Sequence, residues 1–155
     1  MIMICDSREP ELVKWKFKES LPETYPDLNV EVEALSVGDF ETKYMIVERK
    51  ELNDFVSSFT TKKNRKDGTT YERLESQLER LRGHPAPVKV LLIHGDMEAV
   101  HSNIHPHSIL GFIASLSVKY SWLRVLPLIS GVDWSYLVYR LGVKAEKYYG
   151  GAIDD

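Results

Sequence analysis

Glu48 and Lys50 stand two residues apart in the string Val47-Glu48-Arg49-Lys50, and Asp39 precedes them, directly after Gly38. Side chains alternate across an extended chain, so Glu48 and Lys50 share one face while Arg49 points to the other. If Asp39 lies on the neighbouring arm of a hairpin, its carboxylate comes within reach of Glu48. Two carboxylates a few ångströms apart repel each other unless a cation sits between them. Hard oxygen donors of this kind select Mg²⁺ or Mn²⁺ over zinc. Such an ion lowers the pKa of a bound water and neutralises charge on a phosphate. A lysine beside it can orient or deprotonate that water. The chemistry is phosphodiester hydrolysis. A bare E-x-K fits a plain cross-strand ion pair better; it is the longer string, from Gly38 through Lys50 to Asp54, that favours a site.

The elements that must hold these residues follow from periodicity and punctuation. Residues 2–5 form a short apolar run ending at Asp6, which reads as a buried strand. Pro10 and Glu11 open a helix that the pattern carries to about Ser20, with Pro22 and Pro26 marking a loop. Val30, Val32 and Ala34 alternate with Glu31 and Glu33 as a half-exposed strand. Turn chemistry at residues 36–38 leads into two hairpin arms, 39–40 and 44–50. Leu52, Phe55, Val56 and Phe59 then fall at helical spacing, and Tyr71, Leu74, Leu78 and Leu81 mark an amphipathic helix ending near Gly83. Between them, residues 60–70 read as a polar, basic loop. Residues 88–93 form a nearly continuous apolar run, the pattern of a central strand covered on both faces. A helix over 106–120, a strand over 123–129 and a helix over 132–149 complete the chain. Pro127 puts the last strand at a sheet edge or a bulge. Interleaved strands and helices predict an α/β domain: a central mixed sheet flanked by helices.

The composition limits what such a domain can be. With 155 residues, 43% of them hydrophobic, the chain can bury a core without disulfides or a structural metal. Cys5 is its single cysteine, so no intrachain disulfide forms; a small buried side chain in a reducing compartment is expected. No apolar run approaches the roughly 20 residues of a membrane span, and the first residues lack the features of a secretory signal. The expected location is intracellular, cytoplasmic in a prokaryote or nuclear in a eukaryote. Membrane protein, disulfide scaffold, collagen and disordered tail are excluded. A net charge of −3 argues against a nucleic-acid partner, but its distribution does not. Between Lys43 and Arg82 lie ten Lys/Arg against seven Asp/Glu, and elsewhere ten against sixteen. The run Lys62, Lys63, Arg65, Lys66 would be a solvated loop if it stood alone.

Taken together, Gly38-Asp39-Phe40 and Val47-Glu48-Arg49-Lys50 followed by Asp54 resemble the G-D-[YF]…[VI]-E-R-K-x-x-x-D signature of the XPF-type structure-specific endonucleases, a branch of the restriction-endonuclease-like superfamily. Asp6-Ser7-Arg8-Glu9 resembles that family's D-x-R-E, and Arg73 with Gln77 its R-x-x-x-Q. The resemblance implies a restriction-endonuclease-like fold, a Mg²⁺ or Mn²⁺ cofactor, and cleavage of branched DNA (flap, fork, splayed arm) in repair or recombination. It implies that Asp39, Glu48 and the Arg49 main-chain carbonyl bind the metal and that Lys50 is the catalytic lysine. Asp6 and Glu9 would line the acidic site, Asp6 as a further metal ligand or support. Arg8 would contact a phosphate or brace the carboxylates. Asp54, Arg73 and Gln77 would hold Arg49 and the site, or reach the substrate. The loop over 60–70 departs from the short link usual in that family, and its Lys62, Lys63, Arg65 and Lys66 are read as added phosphate contacts.

Plainer roles stay open. Asp54 fits a helix cap, and Arg73 fits an ion pair with Glu72 or Glu75. Asp6 fits a turn, and Glu9 a first-turn acid answering the helix dipole. Of His101, His105 and His107, His105 before Pro106 reads as a helix entry rather than a ligand. Trp134, Leu137, Val138 and Leu141 form one helical stripe, read as an interface anchor; with the resemblance it implies a homodimer through the C-terminal helices. Members of the family usually carry a tandem helix-hairpin-helix domain downstream. The expected organisation here is a nuclease domain over 1–149 with a polar tail over 150–155 and no such domain. Two other functions fit the same fold: a catalytically inactive scaffold that binds DNA or a partner, and a nuclease for duplex or four-way-junction DNA.

Overall fold

The computed structural model describes residues 1–60, 62–64, 70–100, 103–129 and 132–151. Six strands form the main sheet: β1 (Ile2–Asp6), β2 (Asn29–Glu33), β3 (Phe40–Glu41), β4 (Met45–Glu51), β7 (Val88–Gly95) and β8 (Arg124–Ile129). Their order is β2-β1-β3-β4-β7-β8. β3 pairs antiparallel with both β1 and β4, while β1 with β2, β4 with β7 and β7 with β8 are parallel, so the sheet is mixed.

The sheet is covered on both faces because β4 and β7 bury both their odd and even residues. Met3, Cys5, Met45, Val47, Val90 and Leu92 pack on one face against Phe17 and against Val138 and Tyr139 of α6 (Trp134–Tyr149). Ile46, Leu91 and Ile93 pack on the other face against Leu52 and Phe55 of α3 (Leu52–Thr60), Leu74 and Leu78 of α4 (Arg73–Arg82), and Ile109 and Ile113 of α5 (Pro106–Lys119). Along β4 the alternation places Arg49 with the α6 side and Glu48 with the α4 side, as the sequence requires. Cys5 is fully buried, and burial pushes its thiol up to about 12. His105 caps α5, its Nδ1 accepting from the His107 amide at 3.0 Å; His101 lies outside the described residues.

Four local expectations are corrected. The first helix does not stop at Ser20: α1 (Glu11–Trp15) passes through a π-helical turn (Lys16–Ser20) into α2 (Leu21–Thr24), with Pro22 early in α2, where a missing N–H costs least. On β2 only Val30 is buried; Val32 is exposed because the strand forms the sheet edge. In place of a loop after α3, β5 (Lys62–Asn64) pairs antiparallel with β6 (Thr70–Glu72), which takes Tyr71 out of α4. The stripe on α6 faces inward: Trp134 lies 5.9 Å from both Phe17 and Phe40, and Val138 is fully buried. That stripe is core, because α6 needs an apolar face to lie on the sheet. Pro127 does lie in an edge strand, β8.

Candidate active site

A turn with no room for a side chain delivers Asp39 to β4. Gly38 has φ of 75°, and a Cβ built there would meet Ile46 Cδ1 at 2.5 Å. The next residue is bound from both sides: the Asp39 amide donates to the Val47 carbonyl at 2.7 Å, and its carbonyl accepts from the Asp6 amide at 2.8 Å. Its side chain is then fixed by the strand it faces, Oδ2 accepting from the Arg49 amide at 2.7 Å.

Asp39 and Glu48 line one half-open pocket of about 250 Å³, together with Asp6, Arg8, Gly38, Gln77 and Arg80. Burial and the neighbouring Glu48 charge push the Asp39 carboxyl up to about 7, against the pull of the Arg49 amide. Burial also raises Glu48, opposed by Lys50 and Arg80. Lys50 is lowered by burial, opposed by Glu48. Burial is thus the main reason that both carboxyls hold their protons more tightly.

The other expected residues are placed unequally. Asp6 lines the pocket but its oxygens are engaged: Oδ1 accepts from the Leu35 amide at 2.9 Å and Oδ2 from Arg8 Nε at 3.0 Å. Arg8 therefore braces Asp6 and also donates to the Leu35 carbonyl. Glu9 is not in the pocket, correcting its placement there. Its oxygens accept from Arg49 Nε at 2.9 Å and Nη2 at 2.6 Å, because Arg49 is carried to the α6 face by strand alternation. Asp54, in the first turn of α3, and Arg73, at the start of α4, lie outside the pocket lining and act on Lys50 through charge, Asp54 raising and Arg73 lowering it. Gln77 lines the pocket, and its buried Oε1 has no hydrogen-bond partner among the described residues. Lys62 and Lys63 belong to β5, whereas Arg65 and Lys66 lie outside the described residues.

Three residues were missed. Arg80 follows Gln77 by three on α4 and so shares its face, a spacing that could have revealed it. His94 and Trp134 meet Arg49 on the α6 face: Arg49 Nη1 lies 2.8 Å from His94 Nε2, and the guanidinium carbon 5.2 Å from the Trp134 ring. Burial and the Arg49 charge push His94 down to about 4. No local pattern marks His94, and the helical stripe that marked Trp134 gave no sign of its contact with Arg49.

Among the described residues no group of three or more His, Cys, Asp or Glu side chains stands ready for a metal. What the pocket offers is an oxygen set, the carboxylates of Asp39 and Glu48. Two mutually repelling, half-buried carboxylates with no ion-paired base among the described residues suit a hard divalent ion and give zinc neither sulfur nor nitrogen.

The mixed six-stranded sheet flanked by helices matches the XPF nuclease fold, which is restriction-endonuclease-like. The ERCC4 domain family model matches residues 5–135, and the chain belongs to that family, with the XPF-type nuclease domain. Among solved structures it is similar to XPF from Aeropyrum pernix in complex with DNA (22% identity, TM-score 0.66, covering 94% of this chain and 65% of that one). It is also similar to XPF from Aeropyrum pernix in a second structure (21% identity, TM-score 0.69, 98% and 68% covered). The chain thus spans about two thirds of the length of the structures it matches. Comparison with curated proteins finds no match. Among the described residues, no helix is long and apolar enough to cross a membrane.

Proposed function

We propose that this chain is a Mg²⁺- or Mn²⁺-dependent endonuclease that hydrolyses phosphodiester bonds in branched DNA such as flaps, forks and splayed arms. The observation that carries the reading is the meeting of Asp39 and Glu48 in one pocket with Lys50 on the same strand face. Membership of the ERCC4 domain family supports it, and so does the DNA held by the Aeropyrum pernix structure. The nuclease domain is taken as residues 1–149, an intracellular unit acting in repair or recombination.

Asp39, Glu48 and the Arg49 carbonyl would hold the ion. When bound, it supplies a more acidic water and charge neutralisation at the phosphate. The remaining work falls to the chain. The Arg49 amide keeps Asp39 turned toward Glu48. Lys50, buried and lowered, parts with a proton more readily than an exposed lysine, so its amine can accept one from attacking water or stand as a cation beside the phosphate. Arg8 and Arg80 sit at the pocket lining, where phosphates flanking the scissile one would pass. The branch preference rests on family membership alone.

The inactive-scaffold reading is disfavoured by the presence of Asp39, Glu48 and Lys50 together. The test incubates labelled flap, fork, four-way-junction and duplex DNA with Mg²⁺ or Mn²⁺. Metal-dependent cutting of the first two is expected, cutting of only the last two would change the substrate, and inactivity on all four would favour the scaffold. A homodimer through the C-terminal helices belongs to the same proposal on family grounds, the α6 stripe no longer speaking for it. Light scattering that finds only monomer at micromolar concentration removes it.

A further inference from the structure

On the face of the sheet away from the pocket, the Arg49 guanidinium is surrounded. Glu9 takes Nε and Nη2 in a forked pair, with Glu9 itself 7% exposed. Nη1 lies 2.8 Å from His94 Nε2. A guanidinium has donors and no acceptor, so His94 receives this bond on its lone-pair nitrogen and carries its proton on Nδ1. Trp134 closes the set: the guanidinium carbon lies 5.2 Å from its ring, and the His94 ring stacks on the same indole at 5.0 Å and 25°. The indole is held in turn by Phe17 and Phe40. Three separate elements therefore converge on one side chain of β4: the segment after β1, β7 and α6.

None of these side chains touches the pocket. What passes through the sheet is the main chain of Arg49, whose amide orients Asp39 at 2.7 Å. A residue cannot turn on a strand without turning its amide and its side chain together. A guanidinium pinned at three nitrogens and one ring face thus fixes the direction of the N–H on which Asp39 hangs. Forked Arg–carboxylate geometry is well suited to this, because it specifies an orientation and not only a distance.

We infer that His94 and Trp134 are positioning residues, acting through the Arg49 guanidinium to hold the β4 main chain that aims Asp39 at Glu48. The inference rests on the proposed function only for its consequence in catalysis; the bracing itself does not depend on any metal.

The test uses the full chain and two readouts. The first is amide hydrogen exchange at Arg49, followed by NMR without added metal. His94→Leu removes the acceptor for Nη1, and exchange at Arg49 is expected to quicken by about tenfold while amides of α5 stay as they were. His94→Gln offers a carbonyl oxygen in place of Nε2 and is expected to restore most of the protection. Trp134→Leu gives a second, independent variant should His94→Leu fail to fold. The second readout is Mn²⁺ affinity by calorimetry, expected to weaken about tenfold in His94→Leu, as for residues that orient a ligand from behind, with kcat falling and the KM for DNA little changed. Unchanged Arg49 exchange in folded His94→Leu and Trp134→Leu overturns the inference. Faster exchange in a chain that binds no Mn²⁺ supports the bracing and counts instead against the proposed metal-dependent function.

Discussion

The two faces of β4 are built to opposite standards. Behind the strand, Arg49 has its charge matched by Glu9, its third nitrogen bonded to His94 and its guanidinium covered by the Trp134 ring. In front, Asp39 and Glu48 repel each other across a half-open pocket, and Gln77 Oε1 is left without a partner among the described residues. One residue separates the two regimes, because alternation along a strand changes face at every step. The lesson is that a strand can carry an unsaturated site only if something on its reverse side supplies the rigidity that the site itself lacks. A site whose groups satisfied each other would be stable and inert.

Breaking the front face should show most. Asp39→Asn or Glu48→Gln is expected to reduce metal-dependent cleavage about a thousandfold, read by gel on a labelled flap, while thermal unfolding shows the fold kept. Relieving the repulsion should also stabilise the chain by about 1 kcal/mol. Cutting that survives both substitutions would put the site elsewhere. Breaking the back face should show next. Glu9→Gln leaves Arg49 without its counter-charge in a largely buried position, a loss of about 3 kcal/mol in a denaturant titration. A loss near zero would mean that the pair is decorative.

A pH titration sharpens the contrast. The Asp39 carboxyl is raised from 3.8 to about 7, so the folded chain keeps a proton that the unfolded chain has released. This group's contribution to stability is therefore present at acid pH and lost as pH rises from about 4 to about 7. Denaturation midpoints measured across that window should fall, and the fall should flatten in Asp39→Asn. A midpoint that rises across the window in the wild type but not in the variant would reverse the assigned sign. The smallest effect is expected outside both faces. Neutralising Lys62, Lys63, Arg65 and Lys66 should weaken DNA binding and make its salt slope shallower by up to about four. An unchanged slope would remove these residues from the interface.

What could be read from the sequence was whatever depends on neighbours along the chain. Strand alternation put Glu48 and Arg49 on opposite faces, the turn at Gly38 placed Asp39, and the apolar run at 88–93 named the central strand. What escaped depends on partners far along the chain. Asp6 is completed by the Leu35 amide, and Glu9 by Arg49, forty positions on, so neither could be distinguished from an acid with its oxygens free. His94 gains meaning only beside Arg49 and Trp134. The β5–β6 ribbon escaped for another reason: three-residue strands rich in polar residues show no hydrophobic period.

The tight turn before Asp39 has a consequence for lineages as well as for molecules. Gly38 is demanded by geometry, since its left-handed backbone and the Ile46 side chain exclude anything larger. Asp39 is a burden that the proposed catalysis would justify. If the proposed cleavage is its work, a descendant released from it would be free to exchange the acid and gain stability, yet would still be bound to the glycine. A kept glycine beside a vanished aspartate would be the scar by which such a retired enzyme is recognised.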